Sequence, residues 1–343
     1  MTRRDIDVLS RDAAQPVLPP VRLSEGGVIE VTVPAAPPLT EQELLERFDA
    51  LAREHAEVRE RETGEEVVLG DDVQVDILGY AHGRLIPFSL RTDLWMELTP
   101  QDALPGFAEA LEGSAVGDSV SIELVLPADY PVASLRGTPA RFLVDLLAAR
   151  EVTMPDTESE EFLRELDRGS TLDEVMTSLA EELLEERGDQ LWLEARNRVL
   201  DALAARLEVR LPESLILEEL RRRWQAAEGE ALEEKQFTPE EKAEAFEGWK
   251  QDAATRADVE RRLRVSLALK AVAERDRLKL EPGDIFRVLE DHLEAYGLTA
   301  AQVREALVTP ETAEPLRNLA WQQLAIDHAM SKAIVHFEDE DED

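Results

Sequence analysis

The chain has no cysteine, few aromatic residues, half as many bases as acids and no long apolar run. Each shortage closes off a class of function. Without cysteine there is neither a disulfide framework nor a thiolate metal site. The five histidines (55, 82, 292, 328 and 336) stand at no metal-ligand spacing, so no metal and no cofactor is expected. No apolar stretch reaches the roughly 18 residues of a membrane span, which argues against a membrane partner. The opening MTRRDIDVLSRDAAQP is basic but carries no apolar signal core, which points to a cytoplasmic protein. Lys and Arg number 38 against 75 Asp and Glu, a formal net charge of −37. Such a surface repels phosphate backbones, so no direct nucleic-acid partner is expected, and it attracts basic or nascent cationic chains. Neither a Gly-rich phosphate loop nor a Gly-x-Ser-x-Gly elbow is present. Paired acids such as Glu181-Glu182 read as solvated helix faces, and Asp327 and His328 as surface residues.

What is present is a two- or three-domain length with 43% apolar and 33% charged residues, a mix that suits long helices with exposed faces. Residues 1–39 hold six prolines and read as an extended lead, with Val28, Ile29, Val31 and Val33 able to form an edge strand. Thr40 and Glu43 make a capping box for a linker helix within 40–65, reaching about Arg61, striped by Leu44, Leu45, Phe48, Leu51 and Ala52. Residues 66–153 are β-rich, with strands expected over Val73–Leu78, Trp95–Leu98, Ser119–Leu126 and Arg141–Ala149. His82-Gly83 and Gly117-Asp118 supply turns. Residues 154–337 are helical. One helix spans Thr171 to about Leu207, another opens at Pro212, and Thr238-Pro239-Glu240-Glu241 starts one that runs to Arg277. A final helix is expected from about Thr312 to Val335, before an acidic tail over 338–343. Arg221-Arg222-Arg223 reads as a salt-bridged helix face.

The most informative stretch begins at Leu104-Pro105-Gly106-Phe107, a turn that delivers an aromatic into a short helix. After Gly117 the period becomes two, with Val120, Ile122, Leu124 and Leu126 on one face, ending at Pro127-Ala128-Asp129-Tyr130. Leu135, Gly137, Phe142 and Val144 follow. These elements resemble the FK506-binding type of isomerase domain, in the version found inside trigger factor, a family of bacterial folding chaperones. The resemblance runs from Gly70-Asp71 to the C-terminus and includes a Pro-opened helix at Pro212.

That resemblance implies an α+β, mostly helical fold: a small antiparallel half-barrel joined to an elongated all-α domain with helical arms. It implies a chaperone that holds unfolded or nascent polypeptides in a helical cradle and catalyses X–Pro isomerisation. Rotation about that bond must cross about 18–20 kcal/mol, because it breaks amide resonance. The chemistry asks for an apolar slot and one oriented donor, with no acid/base pair. By resemblance Phe107 floors the slot, Leu104 and Pro105 border it, Phe142 closes its back, and Tyr130 carries the orienting hydroxyl. Ile77, Ile86 and Leu94 stand where the family has aromatics, and Pro87 replaces an acid, so weakened catalysis is expected. The alternative is a non-catalytic holdase or adaptor with a degenerate isomerase domain. Trp192, Trp224, Trp249 and Trp321 are candidate client contacts, since Trp buries a large area at little entropy cost. The family's Gly-Phe-Arg-x-Gly-Lys-x-Pro docking loop has no counterpart, so ribosome docking in the family's manner is not expected.

Overall fold

The computed structural model describes residues 21–338 except 25, 101–103, 236 and 294. The start of the proline-rich lead and the acidic tail beyond Glu338 lie outside the described residues. Along the chain come β1 (Glu30–Val33), α1 (Glu41–Glu54), β2 (Glu57–Glu60), β3 (Asp72–Ala81), β4 (Arg84–Leu85), β5 (Arg91–Glu97), α2 (Phe107–Leu111), β6 (Ser119–Val125) and β7 (Pro139–Thr153). Helices α3 (Glu160–Glu165), α4 (Leu172–Ala205), α5 (Glu213–Trp224), α6 (Glu230–Glu234), α7 (Pro239–Gln251), α8 (Ala253–Asp276), α9 (Ile285–Glu290), α10 (Ala300–Ala306) and α11 (Pro310–Ser331) follow, then β8 (Ile334–Phe337). The fold is α+β and mostly helical, an antiparallel sheet domain with helical structure after it. No helix among the described residues is long and apolar enough to cross a membrane.

The chain divides into two compact units. One holds Pro38–Arg187 and Glu219–Ala257; the other holds Met1–Pro37, Gly188–Glu218 and Asp258–Asp343. In the first, β7 is the spine. It pairs with β3 along one edge, and with β6 and then β2 along the other, all antiparallel. Period-two alternation turns Val73, Val75, Ile77 and Ala81 of β3 inward and leaves Gln74, Asp76, Leu78 and Tyr80 on the opposite face. The inward residues join Phe107, Ala108 and Leu111 of α2 in one core, so the sheet curls around that helix. His82 and Gly83 both take left-handed φ (52° and 78°) in the turn joining β3 to β4, the conformation a tight hairpin requires. α1 carries the Thr40–Glu43 capping box, and its Phe48 and Ala52 pack on Phe162, Leu163 and Leu179.

Three helix expectations are corrected. The linker helix stops at Glu54, and Glu57–Glu60 becomes β2, because β7 runs past β3 and presents Arg150–Thr153 for pairing. The helix from Thr238 is broken at Asp252, whose backbone is extended. Its carboxylate caps α8 by accepting from the Thr255 N–H at 2.8 Å and the Thr255 hydroxyl at 2.5 Å. The last helix ends at Ser331, and the β-branched Ile334-Val335 opens a strand parallel to β1.

The second unit packs Leu200, Leu203 and Leu207, at the end of α4 and just beyond it, against Leu267 and Val272 of α8 and Ile326 of α11. His328 is not a plain surface residue. Its Nε2 lies 2.7 Å from the Asp276 carboxylate, which also receives Arg275 and Lys332. Those three partners hold the Asp276 carboxyl far below the usual carboxylate range, Arg275 contributing most.

Within the first unit the segment 219–257 folds onto the sheet domain. Arg222 and Arg223 both bridge to Glu219, as the helix-face reading expects. A π-helical turn over Gln225–Gly229 then widens the helix, its bonds running one residue further than α-helical ones, and α6 and α7 follow. Trp224, Leu232, Ala245 and Trp249 form one apolar cluster with Leu90, against which Leu78 and Leu85 also pack. At its centre is Glu228, with no solvent-accessible surface. Its carboxyl accepts the Phe88 N–H at 2.5 Å and the Trp249 indole N–H at 2.8 Å. Phe88 sits at φ 66° with its ring 4.1 Å from that of Trp249. The Trp224 indole N–H is buried near the same carboxyl without reaching hydrogen-bond geometry. An ion pair from Lys235 to Asp76 ties α6 to the outward face of β3.

Burial pushes the Glu228 carboxyl above its ordinary pKa, with Trp249 and Phe88 partly offsetting the shift. A raised folded-state pKa means that this group's support for closure is complete below the unfolded value and is lost as pH rises through the folded one. Glu228→Gln removes that pH dependence and turns an amide N–H toward one of two waiting donors, at a cost of about 1–3 kcal/mol. Urea unfolding followed by tryptophan fluorescence across pH reads both effects; an unchanged midpoint and profile would remove Glu228 from the closure.

Candidate functional site

The turn before α2 works because Gly106 takes φ 87°, a conformation only glycine adopts without strain. The Phe107 N–H then bonds the Leu104 carbonyl at 3.0 Å, and the Phe107 side chain drops into the core. It meets Phe142 of β7 edge-to-face, centroids 5.8 Å apart and planes at 88°. Gly79 of β3 makes room for that ring. A Cβ there would stand 2.7 Å from Cε1 of Phe142 and 2.9 Å from Cβ of Ser89.

Ile77, Ile86, Phe107 and Phe142 are buried in one cluster, and Leu94, Leu104 and Tyr130 pack half-buried against it. The structure thus gathers seven of the slot residues read from the sequence. Pro105 stays exposed at the lip. Burial pushes the Tyr130 hydroxyl above its ordinary pKa, with Arg91 partly opposing, so the group is a neutral donor at neutral pH. It makes no hydrogen bond among the described residues. These residues therefore form an apolar cluster with the Tyr130 hydroxyl beside it and no acid/base pair for proton transfer.

One wall is braced from outside. Ser89 accepts the Gly79 N–H at 3.1 Å and donates to the Ile86 carbonyl at 2.7 Å, fixing the bend that inserts Ile86. The next residues, Pro87 and Phe88, face the docked segment. Sequence reasoning missed Glu228, the residue that holds this brace. A signal was available: Trp224, Glu228 and Leu232 recur at four-residue spacing, so an acid occupies the apolar stripe of a helix.

The candidate client tryptophans part ways. Trp249 and Trp224 are buried in the docked segment and offer no surface, because their indoles fill the cluster around Glu228. Trp321 is half-buried against the core of the second unit. Trp192 is 59% exposed and leans on Phe337, centroids 5.1 Å apart. Among the described residues, no three His, Asp or Glu side chains are arranged to hold a metal.

Residues 171–331 match the family described as bacterial trigger factor protein (TF) C-terminus. The trigger factor of Glaesserella parasuis is 25% identical over 319 residues, covering 93% of this chain and 71% of that protein. That of Shouchella clausii is 26% identical over 322 residues, covering 89% and 72%. A solved structure of the trigger factor chaperone, titled for promiscuous substrate recognition in folding and assembly, aligns with 85% of this chain and 68% of its own. Its identity is 16% and its TM-score 0.33. Residues 171–331 thus match the trigger factor C-terminal family, and the chain is trigger-factor-like over about nine-tenths of its length.

Proposed function

We propose that this chain is a folding chaperone that holds unfolded polypeptide segments and offers X–Pro bonds a weakly catalytic slot. Its similarity to trigger factors supports a chaperone function. The isomerase half of the reading rests on one observation: seven apolar-slot residues converge around Phe107 and Phe142, with a protonated and unengaged Tyr130 hydroxyl at the rim. On this reading a prolyl ring packs against the cluster, the amide loses water, and Tyr130 donates to a neighbouring carbonyl while the C–N bond twists.

Catalysis is weak on this reading because Ile77, Ile86 and Leu94 give the twisted amide no aromatic faces, and Pro87 supplies no carboxylate. The second reading, a holdase without catalysis, draws on the same replacements and on Ile86 being 1% exposed, which leaves the wall closed on itself. The clients expected are unfolded chains, with basic ones favoured by the charge of −37.

The test is a proline-limited refolding reaction with the full chain at substoichiometric concentration. Tyr130→Phe is expected to lower the acceleration by about fivefold, the worth of roughly 1 kcal/mol of hydrogen bonding in the transition state. Phe107→Ala is expected to abolish it in a protein that still folds. Equal acceleration by both variants would remove the slot, whereas slowing in proportion to added protein would select the holdase.

A further inference from the structure

The second unit contains a strand edge left open. β1 and β8 form an isolated two-stranded parallel pair. The Ile334 N–H bonds the Ile29 carbonyl at 2.8 Å and the Glu338 N–H bonds Val33 at 3.0 Å. Parallel ladders engage alternate residues, so the peptide groups of Val335 and Phe337 point away from β1. They find no partner among the described residues. The far edge of β1 differs, because Arg198 of α4 donates to the Thr32 carbonyl there at 3.0 Å.

The open edge is framed by apolar surface. Ile334, Phe337 and Trp192 are all substantially exposed, and the Phe337 and Trp192 rings touch. Directly after Phe337 the sequence runs Glu338-Asp339-Glu340-Asp341-Glu342-Asp343. We propose that β8 is a strand-addition site for an extended client segment, apolar at alternate residues and flanked by lysine or arginine. Main-chain bonds to Val335 and Phe337 supply affinity without sequence demand, the Trp192–Phe337 pair takes an apolar side chain, and the acidic run selects the basic flank. The inference rests on the client-holding reading and gives it a location.

The probe is a dye-labelled peptide of alternating Val and Thr with lysines at both ends, added to the full chain. At saturation the Val335 and Phe337 amides are expected to exchange more slowly by about tenfold or more, in keeping with two new backbone hydrogen bonds. Val335→Pro, which removes an N–H that β1 does not use, is expected to weaken binding by about tenfold. If that variant fails to fold, the same peptide N-methylated at alternate residues makes the test on the native protein. Trp192→Ala is expected to weaken binding as well. Converting Asp339 to Asp343 to their amides should weaken the lysine-flanked peptide and leave a threonine-flanked one unchanged. Equal affinity for the N-methylated peptide, or binding without protection of those amides, overturns the proposal. So does concentration-dependent protection without peptide, which would make β8 a contact between copies. Suppressed aggregation of an unfolded protein without β8 protection keeps the holding reading and sinks the edge. Protection without suppressed aggregation does the reverse, and neither effect removes both.

Discussion

A carboxyl with no access to water needs donors, and Glu228 finds them on two segments far apart in sequence, the Phe88 amide and the Trp249 indole. That requirement sets the geometry of the first unit. An unpaired buried carboxyl would cost several kcal/mol or shift to its neutral form. The segment 219–257 therefore closes only in the register that brings both donors to Glu228. The π-turn, the left-handed Phe88 and the tilted contact of Phe88 with Trp249 accompany that register. The apolar cluster around it supplies area, and the carboxyl supplies specificity, much as one polar residue in an apolar seam fixes register.

The brace reaches the proposed slot through three consecutive residues. Ile86 points into the sheet core, Pro87 is buried under the docked segment, and Phe88 donates to Glu228. Where the resemblance places an aromatic and an acid facing a bound proline, this chain spends the same bend on holding a helical segment. The proposed floor keeps its two aromatic rings nonetheless. Phe107 and Phe142 retain an edge-to-face contact that depends on the missing side chain of Gly79. Floor and wall thus answer to different constraints: the floor to packing inside the half-barrel, the wall to the segment docked outside it.

The sheet domain was legible because its signals are local. The period of two in β6, the glycine at Gly106 and the turn at His82-Gly83 each specify one conformation. The clustering of Ile77, Phe107 and Phe142 was legible only through the resemblance, since they lie on three separate elements and no periodicity links them. What stayed hidden depends on distant partners. β2 forms only because β7 is long enough to receive it, and β8 only because β1 lies beside it. Asp252 breaks a helix to cap the next one, a choice that helix propensity alone does not distinguish from continuing. Glu228 was hidden by abundance: among 75 acids, a buried one looks like the others until its position in the stripe is counted.

Abundant acid also bears on how an open strand edge is tolerated. Exposed edges pair with whatever extended chain arrives, and proteins commonly guard them with charge. Here the guard follows β8 immediately, as a run of acids at the end of a chain whose net charge is −37. Two copies approaching edge to edge bring like charges together at short range, while a cationic unfolded segment meets attraction over about a Debye length, some 8 Å at physiological salt. The same charge that discourages self-association therefore leaves the edge accessible to one class of partner. An edge guarded by lysine would protect equally well against copies of itself and would admit the opposite class.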